Sequence, residues 1–308
     1  MAERGFRSTL GTGLVVLAAT ACATTATGRK QLSFMPSSEV NAMGVQAFDQ
    51  MKQEQKVETD PEIVRYVRCI ADPVAEAAGL ESWEVVVFED ESANAFALPG
   101  GKIGVFTGLL DVAKTPEQLA AVLGHEVAHV TQEHSNERLS QAFMAQGGLT
   151  AVSAALGGSG QAHDMALGAL GLGAEYGVLM PFGRTQESEA DVVGLDYMAR
   201  AGFDPRGAVE LWHNMHAAAG DGPPEFLSTH PSHETRVKDL EAKMDDALST
   251  YRSAVAKGDP PACARERGLG MTDAPAEQRR TSRGDDAELT RAAAHTPAPP
   301  ARAAARPR

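Results

Sequence analysis

"TPEQLAAVLGHEVAHVTQEH", residues 115–134, combines the signals of a helix start with an apolar helix that carries histidines and glutamates. Thr115 is a good N-cap, Pro116 fits the first helical turn, and Gln118 completes a capping box. Apolar residues then continue at helical spacing. The sequence therefore predicts one long helix over residues 115–143.

Two histidines and a glutamate on this helix form the pattern H-E-x-x-H. His125 and His129 are four residues apart and lie on one helix face, where both can bind a single metal ion. Glu126 is turned about 100° around the helix, so it can take a proton from metal-bound water without binding the metal. The neighbouring residues are uncharged, and burying such a cluster without partners is costly. The alternative is a satisfied core histidine beside an unrelated glutamate.

A catalytic zinc site of this kind needs a third protein ligand. Gln132 and Ser135 stand where a metzincin has glycine and histidine, which excludes that class. The stretch "RTQESEADVVG" places Glu187 and Asp191 four residues apart, on one face of a predicted helix. One of these carboxylates can bind zinc while the other accepts the N–H of a ligating histidine.

Composition and charge narrow the class of protein. The 308 residues are 43% hydrophobic and 22% charged, a balance typical of globular proteins. The length suits one sizeable domain or two small ones. The net charge of -13 and the lack of a dense basic stripe exclude nucleic acid as an expected partner.

The N-terminus has the three regions of an export signal. Two arginines precede a short apolar run that ends in small residues before Cys22. "ATAC" resembles a bacterial lipobox, which predicts a signal peptide over residues 1–21 and a lipid anchor on Cys22. The alternative is a plain secretory signal. Ala23 after the cysteine favours the outer membrane, and residues 22–37 are expected to form a tether.

The other two cysteines and the C-terminus complete the predicted organisation. In an oxidising compartment Cys69 and Cys263 are expected to form a disulfide between an early helix and the end of the domain. Two free buried thiols are the alternative. The folded domain is predicted over residues 38–270. Residues 271–308, rich in Ala, Pro and Arg, are expected to be a disordered tail.

Helical periodicity dominates the folded region, with one β-rich part. "WEVVVFED" and "IGVFTGLL" predict two strands with a Gly-rich connection, as a hairpin or short sheet edge. Helices around a small sheet predict an α+β fold. The Gly/Ala-rich residues 147–180 are expected to form a helical hairpin or a flap rather than a membrane span.

The connection between the predicted strands is a candidate for substrate binding. An exposed strand offers alternating N–H and C=O groups to an extended peptide. Residues 94–100 are therefore expected to form a substrate edge, and the alternative is a simple turn. The contacts are assigned to Asn94, Ala95, Phe96 and Ala97.

Five stretches together carry a family resemblance. They are "HEVAH" (125–129), "MPFGRTQESEADVVG" (180–194), "STHPSHETR" (228–236), "TGRKQLSFMP" (27–36) and "NAFALPGGKIGVFTGLL" (94–110). They resemble zinc metallopeptidase family forty-eight, the family of HtpX and the CAAX prenyl endopeptidase. The last two are similar to its periplasmic LoiP/BepA-like branch, and the chain most resembles a small LoiP-like lipoprotein. The resemblance implies a zincin-type metalloprotease domain, mainly helical, with a small β-sheet beside the active-site helix.

The resemblance also implies a cofactor and the roles of the residues around it. One Zn²⁺ per chain is expected on His125, His129 and Glu187. Glu126 is expected to be the base, and Asp191 to support a ligand from behind. This assignment chooses between the two carboxylates that spacing alone leaves open.

His230 and Arg236, from "STHPSHETR", are expected to reach the same site. Both could stabilise the oxyanion that forms when water attacks an amide carbonyl. In the LoiP/BepA-like branch the matching histidine is similar to a switch that occupies the open zinc position. Alternatively, His230 caps a turn before Pro231 and Arg236 pairs with a surface acid. His134 is expected at the surface.

These features predict an enzyme and leave one main rival. The enzyme is a zinc metalloendopeptidase, a hydrolase of unfolded or misassembled polypeptides in protein quality control. It is expected at the periplasmic face of the bacterial envelope, as an outer-membrane lipoprotein or, alternatively, a soluble periplasmic protein. The rival is an outer-membrane assembly factor or chaperone with a latched or structural zinc site. Glu126 favours the enzyme, because a structural site needs no base.

Overall fold

The computed structural model describes residues 22–144, 182–218, 226, 230, 236–258 and 260–263. The expected signal peptide, the Gly/Ala-rich residues 147–180 and the expected C-terminal tail lie outside the described residues. Within the described ranges, no helix has both the length and the hydrophobicity needed to cross a membrane.

Helices make up most of the fold. Their bounds are α1 Ser37–Glu54, α2 Pro61–Ala77, α3 Pro116–Thr131, α4 134–144, α5 Arg184–Arg200, α6 Arg206–Ala218 and α7 Arg236–Lys257. Two helix starts are capped by side chains. Asp60 accepts a hydrogen bond from the backbone N–H of Glu62, and Thr115 accepts one from that of Gln118. These bonds satisfy donors that a helix start leaves without an intrahelical partner.

The single long helix predicted over residues 115–143 is wrong, because the chain forms two helices there. α3 ends before a turn at Glu133, and α4 begins at His134. Glu133 has a φ of 53°, in the left-handed region that is unfavourable for a residue with a side chain. Its carboxylate stabilises the turn by accepting hydrogen bonds from the hydroxyls of Ser33 and Ser37.

A β-hairpin replaces the start of the expected tether. β1 (Cys22–Thr24) pairs antiparallel with β2 (Lys30–Leu32), so the cysteine of the expected lipid anchor begins the first strand. The hairpin is bound to the turn that follows α3. The side-chain oxygen of Gln132 accepts a hydrogen bond from the backbone N–H of Ala26. The backbone carbonyl of Gln132 accepts another from the side chain of Gln31. This part of the expected tether belongs to the folded domain.

A three-stranded mixed sheet packs against α3. Its strands are β3 (Glu84–Phe88), β4 (Ala95–Leu98) and β5 (Lys102–Phe106), in the spatial order β3–β5–β4. β5 is parallel to β3 and antiparallel to β4. Of the two predicted arrangements, the hairpin is wrong, because β3 and β5 are parallel and the residues expected as a connection contain a third strand. The α+β class, mainly helical with a small sheet beside α3, is confirmed.

Aromatic side chains form a core between α1 and the sheet. They are Phe48, Phe88, Phe96 and Phe106, with ring centroids between 5.9 and 6.2 Å apart. Gly104 makes room for one of them, because a Cβ at this position would lie 2.2 Å from the ring of Phe96. Each buried aromatic contributes about 1.5–3 kcal/mol. This packing holds β4 in place beside α3.

α3 and α5 cross in close contact at two glycines. A Cβ on Gly194 would lie 2.6 Å from the backbone nitrogen of His125, and one on Gly124 would lie 2.6 Å from the carbonyl oxygen of Gly194. Because neither glycine has a side chain, the two helix backbones can approach closely. The crossing sets Glu187, near the start of α5, opposite the histidines of α3.

A disulfide joins Cys69 of α2 to Cys263, 194 residues further along the chain. This is the pairing expected from the sequence, and it links an early helix to the end of the described residues. A covalent link across so long a loop restricts the unfolded chain and stabilises the fold by about 2–5 kcal/mol.

Candidate metal centre

Four side chains converge in the interior of the protein. They are His125 and His129 from α3, Glu187 from α5, and His230, and one ligand-type atom of each lies within 4.8 Å of all the others. His125 Nε2 is 3.0 Å from His129 Nε2 and 3.1 Å from His230 Nδ1. Glu187 Oε1 is 3.1 Å from His230 Nδ1. All four side chains are buried, so their polar atoms face one another rather than water.

Asp191 orients His125 from behind. His125 Nδ1–H donates to Asp191 Oδ1 at 2.9 Å, which directs Nε2 into the cluster. The guanidinium of Arg236 donates to both oxygens of Asp191, at 2.6 Å each. A carboxylate behind a metal-binding imidazole is the usual arrangement. Burial alone would lower the pKa of His125, but Asp191 and Glu187 outweigh it and raise the pKa to about 9.

His134 takes the corresponding place behind His129. Its Nδ1 lies 2.8 Å from His129 Nδ1, and its Nε2 lies 3.1 Å from Glu189 Oε2. Burial lowers the pKa of both imidazoles, that of His129 well below the usual range, so both are neutral at neutral pH. The expectation that His134 lies at the surface is wrong, because its side chain is 0% exposed.

Glu126 stands beside the cluster without joining it. Its Oε1 lies 3.4 Å from His230 Nε2 and accepts no hydrogen bond from the residues that the structure describes. The carboxylate accepts one from the backbone of Ala97. Burial raises the pKa of Glu126, although the nearby His230 and His125 act in the opposite direction. A carboxylate with a raised pKa is suited to accept and return a proton.

The outer edge of β4 borders this centre. The carbonyl of Asn94 accepts a hydrogen bond from the N–H of Phe106, and hydrogen-bonded pairs alternate along an antiparallel ladder. The backbone groups of Ala95 and Ala97 therefore point away from β5, along the outer edge. Of the predicted substrate contacts, these two backbones lie on the edge, whereas the side chain of Phe96 lies in the aromatic core.

Aromatic side chains enclose His230. Its ring stacks on Phe226 at 4.6 Å and on Phe182 at 5.2 Å, between ring centroids. Phe182 also stacks on His129, at 3.8 Å. Sequence reasoning missed Phe182 as a site residue, although it stands in one of the quoted motifs just before α5. His230, expected to stabilise an oxyanion or to latch the metal, lies within the donor cluster itself.

Arg236 lies behind the cluster rather than in the cleft. Its side chain is buried, with Nη1 2.8 Å from Glu187 Oε2 and the guanidinium 4.2 Å from the ring of Trp212. It pairs with Asp191 as well, and these opposite charges offset the cost of burying all three groups. The residue expected to stabilise an oxyanion thus contacts two carboxylates of the centre, Glu187 and Asp191.

The donor set fits a cation. Imidazole nitrogens and a carboxylate are the protein ligands of catalytic zinc sites. Nδ1 of His125 is taken by Asp191 and Nδ1 of His129 by His134, so both Nε2 atoms are left to converge on one position. Glu187 Oε2 accepts no well-directed hydrogen bond from the described part of the chain. A divalent ion bound by these atoms would give each of them a partner, so the residues fit the zinc that the sequence implies.

The H-E-x-x-H helix, the carboxylate helix that crosses it and the small sheet beside it define an α+β zincin-type metalloprotease domain. The chain belongs to Peptidase family M48, whose family model matches residues 59–244. The match includes all of α3 and α5, which carry three of the four converging side chains.

Several named proteins are similar in sequence to a large part of this chain. The chain is 38% identical over 186 residues to the mitochondrial metalloendopeptidase OMA1 of Schizosaccharomyces pombe, covering 59% of this chain and 53% of that protein. It is 37% identical over 179 residues to OMA1 of Arabidopsis thaliana, covering 57% and 35%. It is 29% identical over 206 residues to the β-barrel assembly-enhancing protease of Escherichia coli, covering 64% and 42%. The chain thus spans about half or less of the length of these relatives.

Proposed function

We propose that this protein is a zinc-dependent endopeptidase that cleaves unfolded or misassembled proteins of the bacterial cell envelope. The observation that carries the proposal is a buried Glu126 beside the donor cluster, with an oxygen that accepts no hydrogen bond from the described residues. A purely structural metal site would need no such base. Membership of a peptidase family supports an amide bond as the target.

The proposed mechanism assigns a task to each group. His125, His129 and Glu187 would hold zinc, a Lewis acid that would polarise the scissile carbonyl and make water more acidic. Glu126 takes a proton from the attacking water and returns it to the leaving amine, as its raised pKa allows. Asp191 keeps His125 in the orientation needed throughout. The carbonyl groups of Ala95 and Ala97, which point away from β5, hold the substrate extended by accepting backbone hydrogen bonds from it.

We assign the protein to the periplasmic face of the envelope, as a LoiP-like lipoprotein anchored through Cys22. The lipobox-like end of the N-terminal signal carries this assignment. Similarity to the β-barrel assembly-enhancing protease supports it, and the disulfide between Cys69 and Cys263 suits an oxidising compartment. The OMA1 relatives are mitochondrial by name, so the choice of compartment rests on the N-terminal sequence.

A second candidate function is that of an outer-membrane assembly factor or chaperone with a latched zinc site. The position of His230 favours it, since Nδ1 lies 3.1 Å from both His125 Nε2 and Glu187 Oε1. Four protein ligands would close the site to water, as in structural zinc sites. The protein would then bind unfolded chains without cutting them.

Digestion of casein, an unfolded protein, distinguishes the two candidates. The zinc-loaded protein is expected to cleave casein, and removal of zinc by a chelator is expected to stop the reaction. If the wild type does not cleave casein, His230→Ala is assayed beside a control, His213→Ala, which changes an exposed histidine of α6. Cleavage by the first variant alone means an enzyme held by a latch. Absence of cleavage by the wild type and both variants contradicts the endopeptidase and favours the assembly factor.

A further inference from the structure

His129 is held by another histidine, whereas His125 is held by a carboxylate. The left-handed turn at Glu133 redirects the chain so that His134 points back towards α3, where its Nδ1 reaches His129 Nδ1 at 2.8 Å. Asp191 contacts His125 directly. The two imidazoles of the H-E-x-x-H pattern therefore depend on different partners.

The hydrogen bonds around His134 fix where each proton lies. Glu189 Oε2 is 3.1 Å from His134 Nε2, and a carboxylate can only accept, so His134 carries its proton on Nε2. Nδ1 of neutral His134 is then an acceptor, and His129 Nδ1–H donates to it. His129 Nε2 is left with its lone pair directed at the donor cluster. The other tautomer of His129 would place an N–H where a cation must bind.

Glu189 is in turn held by the N-terminal hairpin. It accepts hydrogen bonds from Arg29 Nε at 2.6 Å and from the hydroxyl of Thr27. Arg29 also donates to both oxygens of Glu137, at 2.8 Å each, and Gln186 donates to Glu137 at 2.6 Å. The side chain of Glu189 is 3% exposed, so water does not compete for these contacts.

We propose that His134, Glu189 and Arg29 are positioning residues that hold His129 in the tautomer able to bind zinc. The inference rests on the zinc site of the proposed function. It makes the β1–β2 hairpin part of the metal centre, because Arg29 lies in the loop between these strands. Substitutions in the hairpin should therefore change zinc affinity as well as cleavage.

Two substitutions of His134 separate hydrogen bonding from packing. His134→Leu fills the site but offers no acceptor, and zinc affinity is expected to fall about 10–100-fold, as it does when a partner behind a ligand is removed. His134→Asn places an amide oxygen near the position of Nδ1 and is expected to recover most of that loss. A packing role predicts the reverse order, because an apolar side chain suits a buried site better than an amide. Affinity is measured on the full chain by competition with a chelating dye.

The hairpin offers a matched pair of variants. Arg29→Met removes the charged partner of Glu189 and is expected to weaken zinc binding. Lys30→Met changes the adjacent, exposed residue, whose ammonium donates to the hydroxyl of Thr24, and is expected to leave zinc binding unchanged. Equal zinc affinities for both variants would contradict the proposal.

Nitrogen NMR of the metal-free wild type tests the tautomer without any substitution. His129 is expected to show a protonated Nδ1 and an unprotonated Nε2, and a proton on Nε2 would overturn the proposal. The zinc titrations also distinguish failure of the proposed function from failure of the positioning role. If the wild type binds no zinc, the proposed function fails; if it binds zinc and His134→Leu binds it as tightly, only the positioning role fails.

Discussion

His125 and His129 belong to one five-residue pattern but differ in charge when no metal is present. Asp191 and Glu187 raise the pKa of His125 to about 9 against the effect of burial, whereas burial lowers that of His129. The Nε2–H of His125 can then donate to His129 Nε2 at 3.0 Å. A proton thus lies on one of the atoms that zinc requires.

Zinc binding should compete with this proton. Below about pH 9 His125 must release a proton to bind the metal, so zinc affinity is expected to rise about tenfold per pH unit near neutrality and to level off above that pKa. Titratable and charged groups that face His125 are Asp191, Glu187, His129, His230 and Arg236. The measurement is a series of zinc titrations at several pH values.

Asp191→Asn is the control for this pH dependence. The variant loses the negative charge that raises the pKa of His125, so its affinity should level off at a lower pH than that of the wild type. Zinc binding by the wild type that does not change with pH would contradict the charge assignment.

Three of the four converging side chains could be predicted at the residue scale, but the residues behind His129 could not. A spacing of four on a helix fixes the relative positions of His125 and His129. On a continuous helix His134 would lie about 140° around from His129 and could not reach it. Only the φ of Glu133 brings His134 back, and a left-handed glutamate has no sequence signal.

At the scale of elements, the crossing of α3 and α5 determines the distance between the histidines and Glu187. Gly194 meets the backbone of Gly124 and His125, which cannot move aside as a flexible side chain can. α5, the helix that carries Glu187, can therefore keep its position only if residue 194 has no side chain.

Gly194→Ala is expected to push the two helices apart. The added Cβ would lie 2.6 Å from the backbone nitrogen of His125, and such overpacking costs about 1–3 kcal/mol. Zinc affinity and the melting temperature should both fall, as measured by chelator competition and thermal unfolding. Gly183→Ala is the control, because the nearest atom to its Cβ is a side-chain oxygen of Gln186 at 3.8 Å. Identical behaviour of the two variants would contradict the role of the crossing.

Elements with strong periodicity were predictable, whereas for β4 the sequence left a substrate edge and a simple turn open. Helices α1 and α2 follow from apolar spacing, and α2 also from the cap at Asp60. β4 has four residues, two of them alanines with low strand propensity, followed by Pro99 and two glycines that indicate a turn. Its strand conformation depends on pairing with β5 and on the packing of Phe96 over Gly104, which are contacts between separate segments.

At the scale of the whole molecule, distant segments meet at the metal centre. Arg29 comes from the hairpin, His125 from α3, Glu187 from α5 and Arg236 from α7. The hairpin residues were expected to belong to a tether that follows the export signal. Hydrogen bonds to residues more than a hundred positions away order the hairpin. One of them joins the side chain of Gln31 to the carbonyl oxygen of Gln132, 101 residues along the chain.

The measurement that tests the central claim most directly is zinc content and casein cleavage, determined together for the wild type and Glu126→Gln. The substitution keeps the size of a side chain that lies outside the donor cluster, so both proteins should hold the same amount of zinc. Loss of the base should lower cleavage by about 10²–10⁴-fold. Cleavage by the zinc-loaded variant at the wild-type rate would contradict the claim that Glu126 is the base of a zinc endopeptidase.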